Sequence, residues 1–214
     1  MFFIENLFSN PDYFFMVIVV VVFSVSCHEY AHARVALWQG DPTAADAGHL
    51  TLNPLKQMGP FSLVMLAIIG IAWGQVPVNP NRMRHKYSAA LVSFAGPGMN
   101  LLLFLAFSLL LAITALLKIP GSAGYFFQLG AIFNFVLFVF NMLPAPGFDG
   151  WWLIFHFFPS VKTGGSEVVK GASLLVVILA IAFIGYLFAA GAYASLYVAG
   201  GIVKLFTLLG GTIG

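Results

Sequence analysis

Charged residues stand far apart in this 214-residue chain: none falls between Lys86 and Lys118, between Lys118 and Asp149, or between Lys170 and Lys204. Such stretches cannot cover a water-soluble globule, because an ordinary soluble domain carries roughly 25% charged residues. Here charged residues make up 7% and hydrophobic residues 61%, and the mean hydropathy is +0.98. A soluble enzyme, a nucleic-acid binder and a disordered chain are excluded together. The formal net charge of +2 comes from cations spread along the chain, which form no nucleic-acid patch. The bilayer is the solvent, and the few polar groups become the informative residues.

The charges punctuate the chain into apolar runs. A hydrocarbon core of about 30 Å takes about 20 helical residues to cross. Phe14–Leu37, Ser88–Leu117, Tyr125–Leu143 and Ala172–Ala190 reach that scale, and Tyr193–Leu209, set off by Gly191 and interrupted by Gly200 and Gly201, is a sixth segment or lies along the surface. The run from Phe61 to Trp73 is hemmed in by Pro60, Gly70, Gly74 and Pro77 and spans only roughly 20 Å as a helix, so it is expected to be re-entrant or interfacial. Pro120, Gly121 and Gly124 mark a tight turn, and residues 160–170 a short polar stretch. His49–Leu52 is β-leaning and Pro77–Pro80 reads as extended, so the two are expected to pair as a small sheet sheltered from lipid. The expected fold is an all-α polytopic membrane protein of about five to six segments with a small membrane-associated β element. It forms a single domain over residues 1–214, with a core at 14–155 and C-terminal segments at 171–210. Acidic Glu5 and Asp12 ahead of the first apolar run do not suit a cleavable signal, so that run is expected to stay as an anchor. Cys27 has no partner for an internal disulfide and reads as a small buried hydrophobe.

Inside the first run stands His28-Glu29-Tyr30-Ala31-His32. Helical positions i and i+4 share one face, so both imidazoles can reach one metal ion. Glu29 is rotated by about 100° from His28, close enough to hold a water without being a ligand. This is the HExxH arrangement of zinc hydrolases. A buried polar cluster without metal is the weaker reading, because a carboxylate and two imidazoles at membrane depth cost several kcal/mol unless paired, and no neighbour offers a pair.

A catalytic zinc site normally has three protein ligands. His49, His85 and His156 lie near segment ends, where a surface role suits each. Asp149 stands out, in Asn141-Met142-Leu143-Pro144-Ala145-Pro146-Gly147-Phe148-Asp149-Gly150, where the prolines and Gly147 stop the fourth run and leave a carboxylate on irregular backbone at membrane depth. Topology tests the pairing. If Phe61–Trp73 does not cross, the third run leaves the side on which the first one ends, and the fourth returns Asp149 near the level of His28. Arg82, Arg84 and Lys86 then mark that side as cytoplasmic, with the acidic N-terminus outside.

Taken together, the HExxH pentapeptide and the Asn141-to-Gly150 motif resemble those of the site-2 protease family of intramembrane zinc metalloproteases. Gly40-Asp41-Pro42-Thr43, Leu50–Leu55, Pro77-Val78-Asn79-Pro80 and Ala95-Gly96-Pro97-Gly98-Met99-Asn100 are similar to blocks of its compact, PDZ-less branch, in the same order, over roughly residues 18–155. The resemblance implies one zinc ion per chain held by His28, His32 and Asp149, with Glu29 as general base and Asn141 as a polar group near the scissile peptide. Asn100 is a second polar candidate, equally suited to helix–helix hydrogen bonding. The chain departs from the branch at Gln57 and Gly59, where a histidine and an aspartate are common, and at His49, where an arginine is; none is among the four chemical residues.

The expected activity is therefore hydrolysis of a peptide bond within or near the transmembrane segment of a single-span membrane protein. The partners expected are that substrate and the bilayer, with no nucleic acid; the oligomeric state is left open. The Leu50–Leu55 strand is expected to hold the unwound substrate by β-addition. Two rival readings remain at this point: a cation transporter using the same three ligands, which would need no general base, and a silent relative that only binds membrane proteins.

Overall fold

The computed structural model describes residues 2–119, 121–158 and 167–210; Pro120 and the polar stretch at 160–166 lie outside the described residues. The main helices are α1 (Pro11–Trp38), α2 (Gly59–Ile69), α3 (Ser88–Leu116), α4 (Ser122–Asn141), α5 (Asp149–Phe157), α6 (Glu167–Ala182) and α7 (Ile184–Leu208). Single-turn helices Thr43–Asp46 and Pro54–Gln57 punctuate the loop between α1 and α2.

Helix α1 starts where its sequence says it should. The Asn10 side chain accepts from the Tyr13 N–H at 3.2 Å, and Pro11 fills the first position, where no donor is needed. One stripe of α1 carries Val17, Val21, Ser24, His28 and His32, all buried. In lipid this inward stripe is distinguished by its polar members, since lipid-facing positions such as Phe15, Val19 and Phe23 are apolar too. The stripe packs against α3 and α4, which also pack tightly on each other, and α7 closes against both. Gly191, Ser195 and Ala199 form the buried face of α7, and Gly191 lies against the Ile132 backbone of α4, the close approach that small residues permit between membrane helices.

Four helices are long and apolar enough to cross a membrane: α1, α3, α4 and α7. The chain is accordingly a multi-pass membrane protein, with four such helices and two shorter apolar ones, Gly59–Ile69 and Gly171–Ala182, among the described residues. Helix α2 has 11 residues, roughly 16 Å, and ends at Gly70 in the left-handed conformation, so it is too short to span. The run Ala172–Ala190 is not one segment either. The helix breaks at Phe183, not at Gly191, which leaves α6 short and extends α7 from Ile184 across Gly191, Gly200 and Gly201.

The expected β element is absent: no strand occurs among the described residues. The segments meant to pair have their backbone groups taken one at a time by side chains and a helix end. The Gln57 amide donates to the carbonyls of His49 and Thr51, and the Ser62 hydroxyl bonds both the N–H and the carbonyl of Trp73. The Gln57 carbonyl accepts from the Gln75 N–H at 3.1 Å. Residues 71–79 thus run as a non-helical wall held from one side.

Candidate active site

Helices α1, α3, α4 and α5 meet around a cavity of about 1030 Å³, lined by His28, Glu29, His32, Asn100, Asn141 and Asp149 and by much of the wall from Ile71 to Val78. That is at the upper end of the usual range for ligand pockets, about 300–1,000 Å³. His28, Glu29 and His32 are all buried on α1.

Asp149 arrives differently from the sequence expectation. It does not hang from irregular backbone but is the first residue of α5, where a carboxylate suits the helix N-terminus. Gly147, with φ of +96°, turns the chain into it. Its Oδ2 lies 3.1 Å from His28 Nε2 and 3.2 Å from His32 Nε2, and the two Nε2 atoms are 3.0 Å apart. The Cα-only space of Gly96 opens directly onto this point: a Cβ there would overlap both Nε2 atoms.

The proton inventory makes the cluster a fit for a cation. His32 Nδ1 lies 2.7 Å from the Val92 carbonyl, which can only accept, so the ring proton is on Nδ1 and Nε2 carries a lone pair. His28 Nδ1 is bonded to Asn100 Oδ1 at 2.6 Å, leaving its Nε2 turned to the same point. Two imidazole lone pairs and a carboxylate oxygen converging within hydrogen-bond distance repel one another without a cation between them. Two nitrogens and one oxygen, with an open side towards the cavity, are a donor set that could hold a metal ion, of the kind catalytic zinc sites use.

Glu29 faces the wall. A Cβ on Gly74 would overlap its carboxylate, so the wall passes directly over the acid. Asn141, the last residue of α4, lines the cavity while its amide donates to the Leu137 carbonyl at 3.0 Å. The other histidines are elsewhere: His49 bonds Gln57, and the His156 ring lies against Tyr87. Asn134 escaped the sequence reading. It is fully buried on α4 and bonds Asn100 and Ser24. It is one of three amides inside the Tyr125–Leu143 run, with Gln128 and Asn141, and that was the available signal, since polar groups at membrane depth seldom lack a purpose.

The N–H groups along the wall fall into two sets. Trp73, Gln75 and Asn79 direct their N–H groups to Ser62, Gln57 and Asp41, at 2.9, 3.1 and 2.6 Å. Among the described residues, the intervening N–H groups of Gly74, Val76 and Val78 donate to nothing.

Known proteins resemble the chain over most of its length. It is 38% identical over 145 residues to a Bacillus subtilis protein named "Putative zinc metalloprotease YwhC", covering 64% of this chain and 66% of that protein. It is 31% identical over 183 residues to "Putative zinc metalloprotease Rip2" of Mycolicibacterium smegmatis, covering 81% and 69%. A Mycobacterium tuberculosis protein also named Rip2 is 35% identical over 147 residues, covering 64% and 55%. The chain thus spans between about half and just over two thirds of these relatives' lengths. Neither a protein-family model nor a solved structure matches it.

Proposed function

The chain belongs to the site-2 protease family, and from that membership we propose that it is a zinc-dependent intramembrane endopeptidase cutting within or near the transmembrane segment of a single-span protein. One observation carries the proposal: two histidine nitrogens and the Asp149 carboxylate converge within 3.2 Å in a cavity inside apolar helices, with Glu29 lining the same cavity.

In this reading His28, His32 and Asp149 hold the zinc. When bound, the ion supplies Lewis acidity, polarising the scissile carbonyl and making a water easier to deprotonate. Glu29 is the general base: it takes a proton from the attacking water and passes it to the leaving amine. Burial keeps bulk water from competing for that proton. Asn141 has an amide oriented along its own helix, and on substrate entry it exchanges the Leu137 carbonyl for the substrate or the tetrahedral intermediate.

A helical substrate hides its carbonyls and must unwind to be cut. The N–H groups of Gly74, Val76 and Val78, which make no hydrogen bond among the described residues, offer an edge along which an extended stretch can pair beside Glu29. In this reading β-addition falls on residues 71–79 instead of the Leu50–Leu55 segment, where the Thr51 carbonyl is engaged by Gln57. The positive-inside rule puts Arg82, Arg84 and Lys86, and the adjoining end of the site, towards the cytoplasm.

The test is cleavage of a single-span substrate by the purified protein in liposomes. The wild type cuts it, while Glu29→Gln retains zinc and loses cleavage by at least about 100-fold, as expected for a general base. Wild-type cleavage by the variant would remove Glu29 from the mechanism.

A further inference from the structure

His28 can hold a metal through Nε2 only when its neutral ring carries the proton on Nδ1. A chain of hydrogen bonds across three helices enforces that state. The Gly130 carbonyl on α4 can only accept, and Asn134 Nδ2 lies 2.8 Å from it, so this atom is the amide's NH2 group; it also reaches Ser24 Oγ on α1 at 2.8 Å. Asn134 Oδ1 therefore faces α3 and accepts from Asn100 Nδ2 at 3.0 Å. Asn100 then has only its carbonyl oxygen to offer His28 Nδ1, at 2.6 Å, so Nδ1 must donate. Each amide orientation follows from the one before it, and the first is fixed by backbone. Ser24, Asn100 and Asn134 are all 0% exposed, so no water competes for these bonds.

Resting on the metalloprotease function proposed above, we infer that Asn134, acting through Asn100, is a positioning residue that locks His28 in its metal-binding tautomer. Asn100 alone cannot do this. Without Asn134 its amide turns over, offers NH2 to Nδ1, and favours the ring form protonated on Nε2, which cannot hold a metal. Asn134 also lies on the helix that leads to Asp149, so one side chain ties the orientation of one ligand to the helix that delivers another.

Zinc affinity of the purified full chain, measured by chelator competition, tests the relay. Asn134→Leu keeps the branched side-chain shape and removes the anchor; affinity is expected to fall about 10- to 100-fold, the usual loss for a partner behind a metal ligand. Adding Asn100→Asp restores most of it, because a carboxylate has no donor to turn towards His28. Unchanged affinity in a folded Asn134→Leu protein, or a loss that Asn100→Asp fails to restore, overturns the relay. The wild type provides a check that needs no variant. In histidine-labelled protein stripped of metal at alkaline pH, 15N spectra should show the His28 proton on Nδ1, and a proton on Nε2 overturns the relay. A wild type that binds no zinc instead overturns the metalloprotease function and the relay with it, so the two failures are distinguishable.

Discussion

At the scale of single residues, the site depends as much on an absent side chain as on those present. Gly96 leaves the space above both Nε2 atoms that a Cβ would fill. Gly96→Ala should abolish stoichiometric zinc binding by metal analysis while the protein stays folded, because alanine is about 1 kcal/mol better than glycine inside a helix. Undiminished zinc would place the metal elsewhere. His28, Glu29 and His32 were legible in the sequence because helical geometry alone sets i and i+4 on one face. Asp149 was legible as a carboxylate where lipid forbids one, though not as the opening residue of a helix. The space at Gly96 and the bonds of Asn134 were not legible, since both are relations between helices that no spacing along one helix encodes.

Among the elements, the wall at residues 71–79 is the one that local pattern misread. Alternating apolar and proline residues indicated an extended stretch at Pro77–Pro80 but not its partners: the wall is held by the Ser62 and Asp41 side chains and the Gln57 carbonyl instead of a second strand. Asp41 anchors its far end. This fully buried carboxylate follows α1 and accepts from the Thr43 N–H at 3.0 Å, the Thr43 hydroxyl and the Asn79 N–H at 2.6 Å. Burial alone would raise its pKa, but these hydrogen bonds, aided by Arg82, outweigh that and hold it below the usual aspartate value of 3.8. A lowered carboxyl pKa stabilises the fold above the ordinary value and loses that contribution as pH falls through the folded one. The Asp41 contribution should therefore be intact at neutral pH and disappear below about pH 4. Asp41→Asn should cost about 1.5–3 kcal/mol at pH 7, read by thermal or denaturant unfolding in detergent, with the gap from wild type closing in acid. An equal gap at both pH values would remove the charge from the anchor.

Over the whole molecule, the arrangement of helices makes the site possible. Because α2 is too short to cross, α3 leaves from the side where α1 ends and α4 comes back to it, bringing Asp149 beside residues more than a hundred positions earlier. That consequence could be drawn from charge spacing and helix length, which is why the bundle and the three-residue cluster were foreseeable. The break at Phe183 was not, because no proline or charge marks it, and Gly191 looks like a breaker in sequence while serving as a packing surface in space. This return path brings His28, His32 and Asp149 together, so that one zinc site is built from both ends of the core. Metal analysis of the purified wild type and of Asp149→Ala tests it most directly. One zinc per wild-type chain and a loss of stoichiometric zinc in the variant are predicted; stoichiometric zinc in Asp149→Ala, or none in the wild type, would contradict it.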